Sequence, residues 1–327
     1  MSIFYMTSHV DYTLEEADAD ALRAEHPSHT FILGGRDDAP ARVKEQIECY
    51  YGFLRPAAFA QYPNLRWLHI PTAGVDAYVN SDEIKSKRIT LTNSRGVYGE
   101  PISSHILALF LSMQRQLHLL RDAQRERRWA PQMPLKEYAG STVLVLGAGD
   151  IGAELGRKSR ALGAYVIGIR RTLGNGNEDV PENMRESFDE LHGPSGLDQA
   201  LPRADFIALC LPNTPETANI LSRERIDRIK PGAYLANIGR GAAIDQGALY
   251  DALASGRLAG AGLDVTTPEP LPTDHPLWGL PNCVITNHSS GRSPGNKRRS
   301  LDIYKENVRR YAAGKPLQNV IDIARWY

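Results

Sequence analysis

Arg240, Glu269 and His288 each follow an apolar, β-prone run, and the three runs are successive: Tyr234 to Ile238, Gly260 to Val265 and Cys283 to Thr286. A carbonyl reduced by hydride needs a cation to polarise its oxygen and hold a neighbouring carboxylate. It also needs a proton donor that titrates near neutrality and a partner to orient that donor. Arg, His and Glu supply these three functions. Glu269 bonded to His288 would fix the ring's tautomer, so that an imidazolium can protonate the oxygen as hydride reaches the carbon. Taken singly, each residue has a plainer reading: a surface ion pair for the arginine, a solvated loop for the glutamate and the histidine. Their joint occurrence on consecutive strand ends is what points to a site, because ligands of open parallel sheets bind outside the carboxyl ends of the strands.

Upstream, Ser141 to Gly152 reads STVLVLGAGDIG, an apolar run ending in Gly147, Gly149, Asp150 and Gly152 at the spacing G-x-G-x-x-G. A strand feeding such a turn and then a helix lets backbone approach a pyrophosphate, whose charge meets free N–H groups at the helix start. Helical Ala153 to Leu162 and a second apolar run, Ala164 to Ile169, complete β-α-β. Arg170 then stands 18 residues after Gly152, where an NAD site usually has an acid for the ribose 2′-hydroxyl. Arg170, followed by Arg171 and Thr172, would instead pair with a 2′-phosphate, so the expected cofactor is NADP, with NADPH preferred over NADH. The alternative is that Arg170 stacks on adenine without choosing between cofactors.

The remaining elements form two α/β series. Residues 1–99 alternate strand-like runs (Ile3 to Met6, Thr30 to Leu33, Cys49 to Phe53, Arg66 to Ile70, Ile89 to Thr92) with helical stretches such as Leu14 to Glu25. This reads as a small doubly wound domain without a dinucleotide turn, hence a better candidate for substrate. Pro101 opens a helix expected to run to about Arg128 and to bridge the domains. From Ser141 the second series continues through Phe206 to Leu211 and the three runs above, interrupted between Thr172 and Leu201 by a Gly-, Asn- and Pro-rich segment read as a long surface connection. A basic helix, Pro294 to Ala313, is expected to return to the first domain.

The 327 residues are 42% hydrophobic and 23% charged, with 38 basic and 38 acidic side chains, so no net field favours nucleic acid or an anionic membrane. Cys49, Cys210 and Cys283 lie far apart in apolar surroundings and read as reduced core thiols, with no metal site expected. MSIFYMTSHV lacks the features of a leader, and no apolar run is long enough to span a bilayer. A cytoplasmic protein is expected.

NIGRGAAID (Asn237 to Asp245), LDVTTPEPLPTDHPLW (Leu263 to Trp278) and ITNHSSG (Ile285 to Gly291) resemble successive signatures of the D-isomer-specific 2-hydroxyacid dehydrogenases. IPTAGVD (Ile70 to Asp76), LTNSRGVYGEPISSHILALFL (Leu91 to Leu111) and LPNTPETANIL (Leu211 to Leu221) extend the resemblance over roughly residues 65 to 320. It implies two doubly wound parallel-sheet domains: a Rossmann dinucleotide-binding domain, 100–290, and a smaller flavodoxin-like substrate domain, 1–99 with 291–327. It implies that Arg240 binds substrate oxygens, His288 is the acid/base and Glu269 orients it, in reversible reduction of a 2-oxoacid to the (R)-2-hydroxyacid.

The same resemblance carries Ile151, Arg170, Pro212, Thr217, Ile238 and Asp264 into the cofactor groove, with Asp264 accepting from the nicotinamide amide. Thr72, Ala73 and Gly74 match the loop whose N–H groups hold the substrate carboxylate, a role suited to small residues because main chain must approach an anion closely. His105, on the helix from Pro101, reads as structural, and Trp129 as core packing or the lining of a pocket across a dimer. Asn287 stands where the family usually has proline, leaving the backbone before His288 less constrained.

Small 2-oxoacids of the glyoxylate and hydroxypyruvate type lead as substrates, with pocket size set around Tyr50 to Arg55, Thr72 and Tyr98. Glu269 disfavours a formate dehydrogenase, which pairs its histidine with glutamine, and the short stretch after the last helix disfavours a phosphoglycerate dehydrogenase with a regulatory domain. The resemblance also implies a homodimer. A dinucleotide-sensing corepressor with little turnover is the reading from a different class.

Overall fold

The protein is described from a computed structural model that covers residues 1–9, 11–35, 39–129, 135–173 and 180–323. It divides into two compact units, Met1–Val97 with Arg292–Tyr327, and Tyr98–Gly291.

The first unit contains β1 (Ile3–Met6), α1 (Glu16–Glu25), β2 (Thr30–Leu33), α2 (Ala41–Lys44), β3 (Ile47–Tyr51), β4 (Trp67–Ile70), α3 (Asp82–Lys85) and β5 (Thr90–Asn93). All five strands are parallel, in the order β2-β1-β3-β4-β5. This is the flavodoxin-like order, with its switch point between β1 and β3. β4 is buried on both faces, as parallel strands covered by helices must be.

The second unit runs through α4 (Gly99–Gln114), α5 (Leu117–Arg125), β6 (Thr142–Leu146), α6 (Asp150–Ala161), β7 (Tyr165–Ile169), α7 (Glu182–Arg185), β8 (Glu190–His192), α8 (Leu197–Ala200), β9 (Phe206–Leu209), α9 (Arg223–Arg228), β10 (Tyr234–Asn237), α10 (Gln246–Ala254), β11 (Gly260–Leu263) and β12 (Cys283–Ile285). Its seven parallel strands follow the order β12-β11-β10-β9-β6-β7-β8. Strand order reverses between β6 and β9, which puts the glycine turn after β6 at the switch point.

The chain returns to the first unit with α11 (Asn296–Ala312), whose buried residues Ser300, Leu301, Tyr304, Asn307 and Val308 recur at helical spacing. Leu301, Tyr304 and Val308 join Phe4, Met6, Tyr51 and Trp67 in one core cluster. Beyond the helix, Ile321 N–H donates to Leu91 O (2.9 Å).

Four expectations are corrected. The helix from Pro101 is two helices: Arg115 caps α4, and Gln116 takes a left-handed conformation (φ 58°) before α5 begins. The segment between Thr172 and Leu201 carries regular structure, because Ile167, Gly168 and Ile169 of β7 pair in register with Glu190, Leu191 and His192. A Cβ on Gly168 would come within 2.7 Å of Phe188 and 2.8 Å of Leu191, so glycine there lets the edge strand's apolar side chains lie against the sheet. Positions 174–179 of that segment lie outside the described residues. Trp129 is fully exposed rather than packed in a core. Tyr50, named with the residues that set pocket size, is buried against Tyr5 and Tyr62.

The three cysteines are free, and burial pushes the Cys210 and Cys283 thiols up to about 12. Among the described residues no helix is long and apolar enough to cross a membrane.

Candidate active site

The glycine turn divides its work among three positions. Gly147 adopts φ 100°, and a Cβ there would meet Cys210 O at 2.5 Å, so the turn closes tightly against the exit of β9. Gly152 packs α6 down onto the turn, since its Cβ would sit 2.3 Å from Gly147 O. Gly149 differs from both: a Cβ built on it meets nothing within 4 Å. It is also the N-cap of α6, and no side chain caps that helix. A helix start whose N-cap residue offers no side-chain cap, beside a glycine that opens on empty space, fits a dinucleotide pyrophosphate. Asp150 and Ile151 form the helix's first turn.

Around this turn lie the other residues singled out for a cofactor. Arg170 directly follows β7; its Nη1 donates to Ala148 O within the glycine turn (2.7 Å) and its Nε to Thr172 O (3.2 Å). The guanidinium is thereby held at the rim of the turn, with Arg171 and Thr172 exposed beside it. After β9, Thr217 Oγ1 donates to Pro212 O (2.6 Å) and accepts from Thr214 N–H (2.9 Å), which closes the loop on itself. Ile238, buried after β10, donates its N–H to Leu209 O (3.2 Å).

Arg240, Glu269 and His288 follow β10, β11 and β12, adjacent parallel strands. The turn carrying Arg240 is fixed by Asn237, the last residue of β10. Its buried side chain donates to Arg240 O (2.9 Å) and accepts from Gly239 N–H (3.1 Å). Arg240 Nη1 donates to Gly239 O (2.8 Å). A Cβ on Gly241 would lie 2.1 Å from Thr266 O, so only glycine lets the loop leading to Glu269 come this close to the Arg240 turn. That loop is gripped by Gln246 of α10, which accepts from Thr267 N–H (2.9 Å) and donates to Thr267 O (2.8 Å).

Glu269 Oε1 lies 2.6 Å from His288 Nδ1, and both side chains are about half exposed. A carboxylate only accepts, so Nδ1 carries the proton and Nε2 is the nitrogen turned to other partners. His288 has φ 53°, a left-handed conformation rarely adopted by residues with a Cβ. Its N–H donates to Asp264 O (2.9 Å).

Asp264, the expected acceptor for the nicotinamide amide, has protein partners for its carboxylate in the structure. It accepts from Thr286 Oγ1 (2.5 Å), Ser289 N–H (2.9 Å) and Ser290 N–H (3.0 Å). Burial alone would raise its pKa, but the Ser290 hydroxyl together with these bonds outweighs the desolvation and holds the group below the ordinary aspartate value.

In the first unit, Thr72, Ala73 and Gly74 follow β4. Ser94 N–H donates to Thr72 O (3.0 Å), Asn93 Nδ2 to Ala73 O (2.7 Å) and Thr72 Oγ1 to Gly74 O (3.3 Å). With these carbonyls engaged, the loop's backbone is fixed from the side of β5. Asn237, Gln246 and Asn93 went unnoticed in the sequence. The only signal available was a polar residue at the end of an apolar run for the two asparagines, and an amide at a helix start for Gln246.

Comparison with known proteins identifies the family. The family described as D-isomer specific 2-hydroxyacid dehydrogenase, NAD binding domain, matches residues 107–290. A glyoxylate reductase/hydroxypyruvate reductase of Mus musculus is 35% identical over 229 residues, 69% of this chain and 67% of that protein. A D-isomer specific 2-hydroxyacid dehydrogenase from Xanthobacter autotrophicus Py2, solved in complex with NADPH and MES, superposes with a TM-score of 0.81 at 31% identity, covering 100% of this chain and 99% of that one. An NADPH-dependent glyoxylate/hydroxypyruvate reductase from Sinorhizobium meliloti, solved with NADP and sulfate, gives a TM-score of 0.80 at 25% identity and covers 100% of both chains. With a nucleotide-binding fold matched over more than half its length and relatives aligned over most of the rest, the chain belongs to the D-isomer-specific 2-hydroxyacid dehydrogenase family of oxidoreductases.

Proposed function

We propose that this protein is an NADP(H)-linked reductase of small 2-oxoacids, of the glyoxylate and hydroxypyruvate type, forming the (R)-2-hydroxyacid. The observation that carries the proposal is the 2.6 Å bond between His288 Nδ1 and Glu269 Oε1, on the rim that also bears Arg240. With Nδ1 committed to Glu269, the proton given to the substrate oxygen leaves from Nε2 of the imidazolium. Arg240 polarises the carbonyl and pairs with the carboxylate, and the N–H groups of Thr72, Ala73 and Gly74 take the carboxylate's remaining lone pairs. The cofactor supplies the hydride at the carbonyl carbon when bound.

The second unit is the dinucleotide domain in this reading, with Gly149 and the start of α6 taking the pyrophosphate. The first unit is the substrate domain. The 2′-phosphate is met by Arg170, Arg171 and Thr172 after β7, where an acid would repel it. Support for the cofactor also comes from the relatives solved with NADPH or NADP. Support for the substrate comes from the names of the mouse and Sinorhizobium proteins.

The test is a panel of 2-oxoacids assayed with NADPH and NADH, on the wild type and His288→Ala. Turnover of glyoxylate or hydroxypyruvate with NADPH is expected, and roughly 100- to 10,000-fold slower turnover in the variant, the usual worth of a general acid. A preference for NADH overturns the cofactor assignment. Tight cofactor binding with no turnover on the panel overturns the enzymatic one in favour of a dinucleotide sensor.

A further inference from the structure

Behind the loop that carries His288 lies a partly buried polar chain with no part in the chemistry proposed above. Asp264 faces that loop at five points: Thr286 Oγ1, the Ser290 hydroxyl and the N–H groups of Ser289 and Ser290 reach its carboxylate, and His288 N–H reaches its backbone oxygen. The left-handed conformation of His288 (φ 53°) is one that surrounding structure must hold, and these bonds flank it on both sides. Three of the donors are backbone N–H groups with fixed directions. The two hydroxyls can rotate, and that of Thr286 has a further partner.

A hydroxyl has one proton and can accept as well. Thr286 Oγ1 gives its proton to Asp264 Oδ1 at 2.5 Å, which leaves its lone pairs for a donor. His105 Nε2, at 3.2 Å, supplies that donor, and it stands 3.9 Å from Asp264 Oδ1. The imidazole projects from α4 and is largely buried, its side chain 22% exposed. The order is therefore His105 Nε2–H to Thr286 Oγ1, Thr286 O–H to Asp264 Oδ1, and Asp264 to the backbone of residues 288–290.

We infer that His105 is a positioning residue for the reaction: through Thr286 and Asp264 it fixes the loop that aims His288 at the substrate. The inference rests on His288 being the proton donor. Deleting the His105 imidazole frees the Thr286 rotor while leaving the N–H bonds of Ser289 and Ser290 to Asp264 in place. The loop then stays folded, but His288 is aimed less narrowly. Proton transfer is sensitive to such displacement, and a shift on the order of 1 Å slows catalysis by up to about 100-fold. A role confined to packing α4 against the sheet would instead lower thermal stability and leave kcat alone.

The experiment compares kcat, both KM values and thermal stability for the wild type, His105→Leu, His105→Gln, Thr286→Val, the His105→Leu/Thr286→Val pair and His288→Ala, using glyoxylate and NADPH. His105→Leu is expected to lose about tenfold or more in kcat with the KM for NADPH unchanged, and His105→Gln, whose amide still donates, to recover most of the loss. The double variant should be no slower than Thr286→Val, because either change cuts the same chain. Should His105→Leu fail to fold, His105→Gln and Thr286→Val carry the comparison: near-normal kcat in the first and a loss in the second are expected. A kcat for Thr286→Val or His105→Leu equal to the wild type overturns the inference, as do additive losses in the pair. If His288→Ala is itself fully active, the proton-donor assignment fails and this inference with it; an inactive His288→Ala beside a fully active His105→Leu rejects the positioning role alone.

Discussion

His69, the third residue of β4, gives the sharpest quantitative expectation about the first unit. It is wholly buried, stacked on Tyr51 with ring centroids 5.5 Å apart and planes 7° from parallel. Its Nδ1 lies 2.8 Å from Thr92 Oγ1 and its Nε2 3.2 Å from Ser94 Oγ. Trp67 Nε1, which can only donate, gives its proton to the same Thr92 hydroxyl at 2.8 Å. Thr92 therefore keeps its own proton for His69 Nδ1, and the neutral ring donates from Nε2 to Ser94. Protonating Nδ1 would set two donors against each other in a dry site. Burial alone pushes the His69 ring down to about 3, from an ordinary value of 6.5.

The sign follows from proton counts. Between pH 6.5 and 3 the unfolded chain holds the proton on this residue and the folded chain does not. Stability is thus highest above 6.5 and is lost as pH falls through that window. The slope is about 1.4 kcal/mol per pH unit, so acidification to pH 4.5 costs about 3 kcal/mol through this ring. Because other groups titrate as well, the measurement is a difference between the wild type and His69→Gln, an amide that keeps a donor and an acceptor but does not ionise. Urea unfolding at intervals from pH 7.5 to 4.5 can be followed by tryptophan emission. Of the four tryptophans Trp67 is buried beside His69, Trp129 and Trp278 are exposed, and Trp326 lies outside the described residues but belongs to the same unit as Trp67, so the emission shift reports this unit. The stability advantage of the wild type should shrink by about 1.4 kcal/mol for each unit below 6.5. Parallel pH profiles for the two proteins would refute the argument that a neutral His69 is built into the unit that carries Thr72 to Gly74.

The glycines give two further expectations. Gly149→Ala should change stability by no more than about 1 kcal/mol, as its Cβ enters open space, yet weaken NADPH binding at least about tenfold by obstructing the pyrophosphate; calorimetric titration measures it, and an unchanged Kd would remove Gly149 from the cofactor site. Gly152→Ala, with a Cβ 2.3 Å from Gly147 O, should by contrast destabilise the fold itself. Gly241→Ala must drive the loop at Thr266 away from Arg240, lowering turnover along with about 1–3 kcal/mol of stability; thermal unfolding and kcat on the same preparation decide whether both fall together.

The parts of this molecule legible in its sequence are those specified by near neighbours. Val143 to Leu146 is apolar throughout because β6 is covered on both faces, and the glycines after it are fixed by turn geometry that any chain must obey. Arg240, Glu269 and His288 are recognisable because each lies in the loop leaving an apolar run, within about six residues of the strand end. What escaped notice depends on contacts remote in the chain. The break at Gln116 has neither glycine nor proline to mark it, because a single left-handed residue suffices to end α4. β8 is three residues long and half-polar, and pairing with β7 is what makes it a strand. Trp129 shows the opposite failure: a large aromatic residue signals burial on average, yet this one is exposed.

The site also places its polar residues by a common rule. Asn237 ends β10 and Asp264 directly follows β11, and each turns its side chain to the backbone of a loop leaving the sheet; Thr286, directly after β12, turns its hydroxyl to Asp264. Asn237 and Asp264 are buried polar residues, which persist only with partners, and the partners here are the backbone of the Arg240 turn and the loop of His288. Gln246 grips the backbone just before Glu269 from α10 in the same way. Arg240, Glu269 and His288 are thus carried on loops whose main chain is tied to the parallel sheet or its covering helix. Such side chains stay accessible to a ligand while their backbones keep the rigidity of the elements beneath, a combination that strand exits offer more readily than strand interiors.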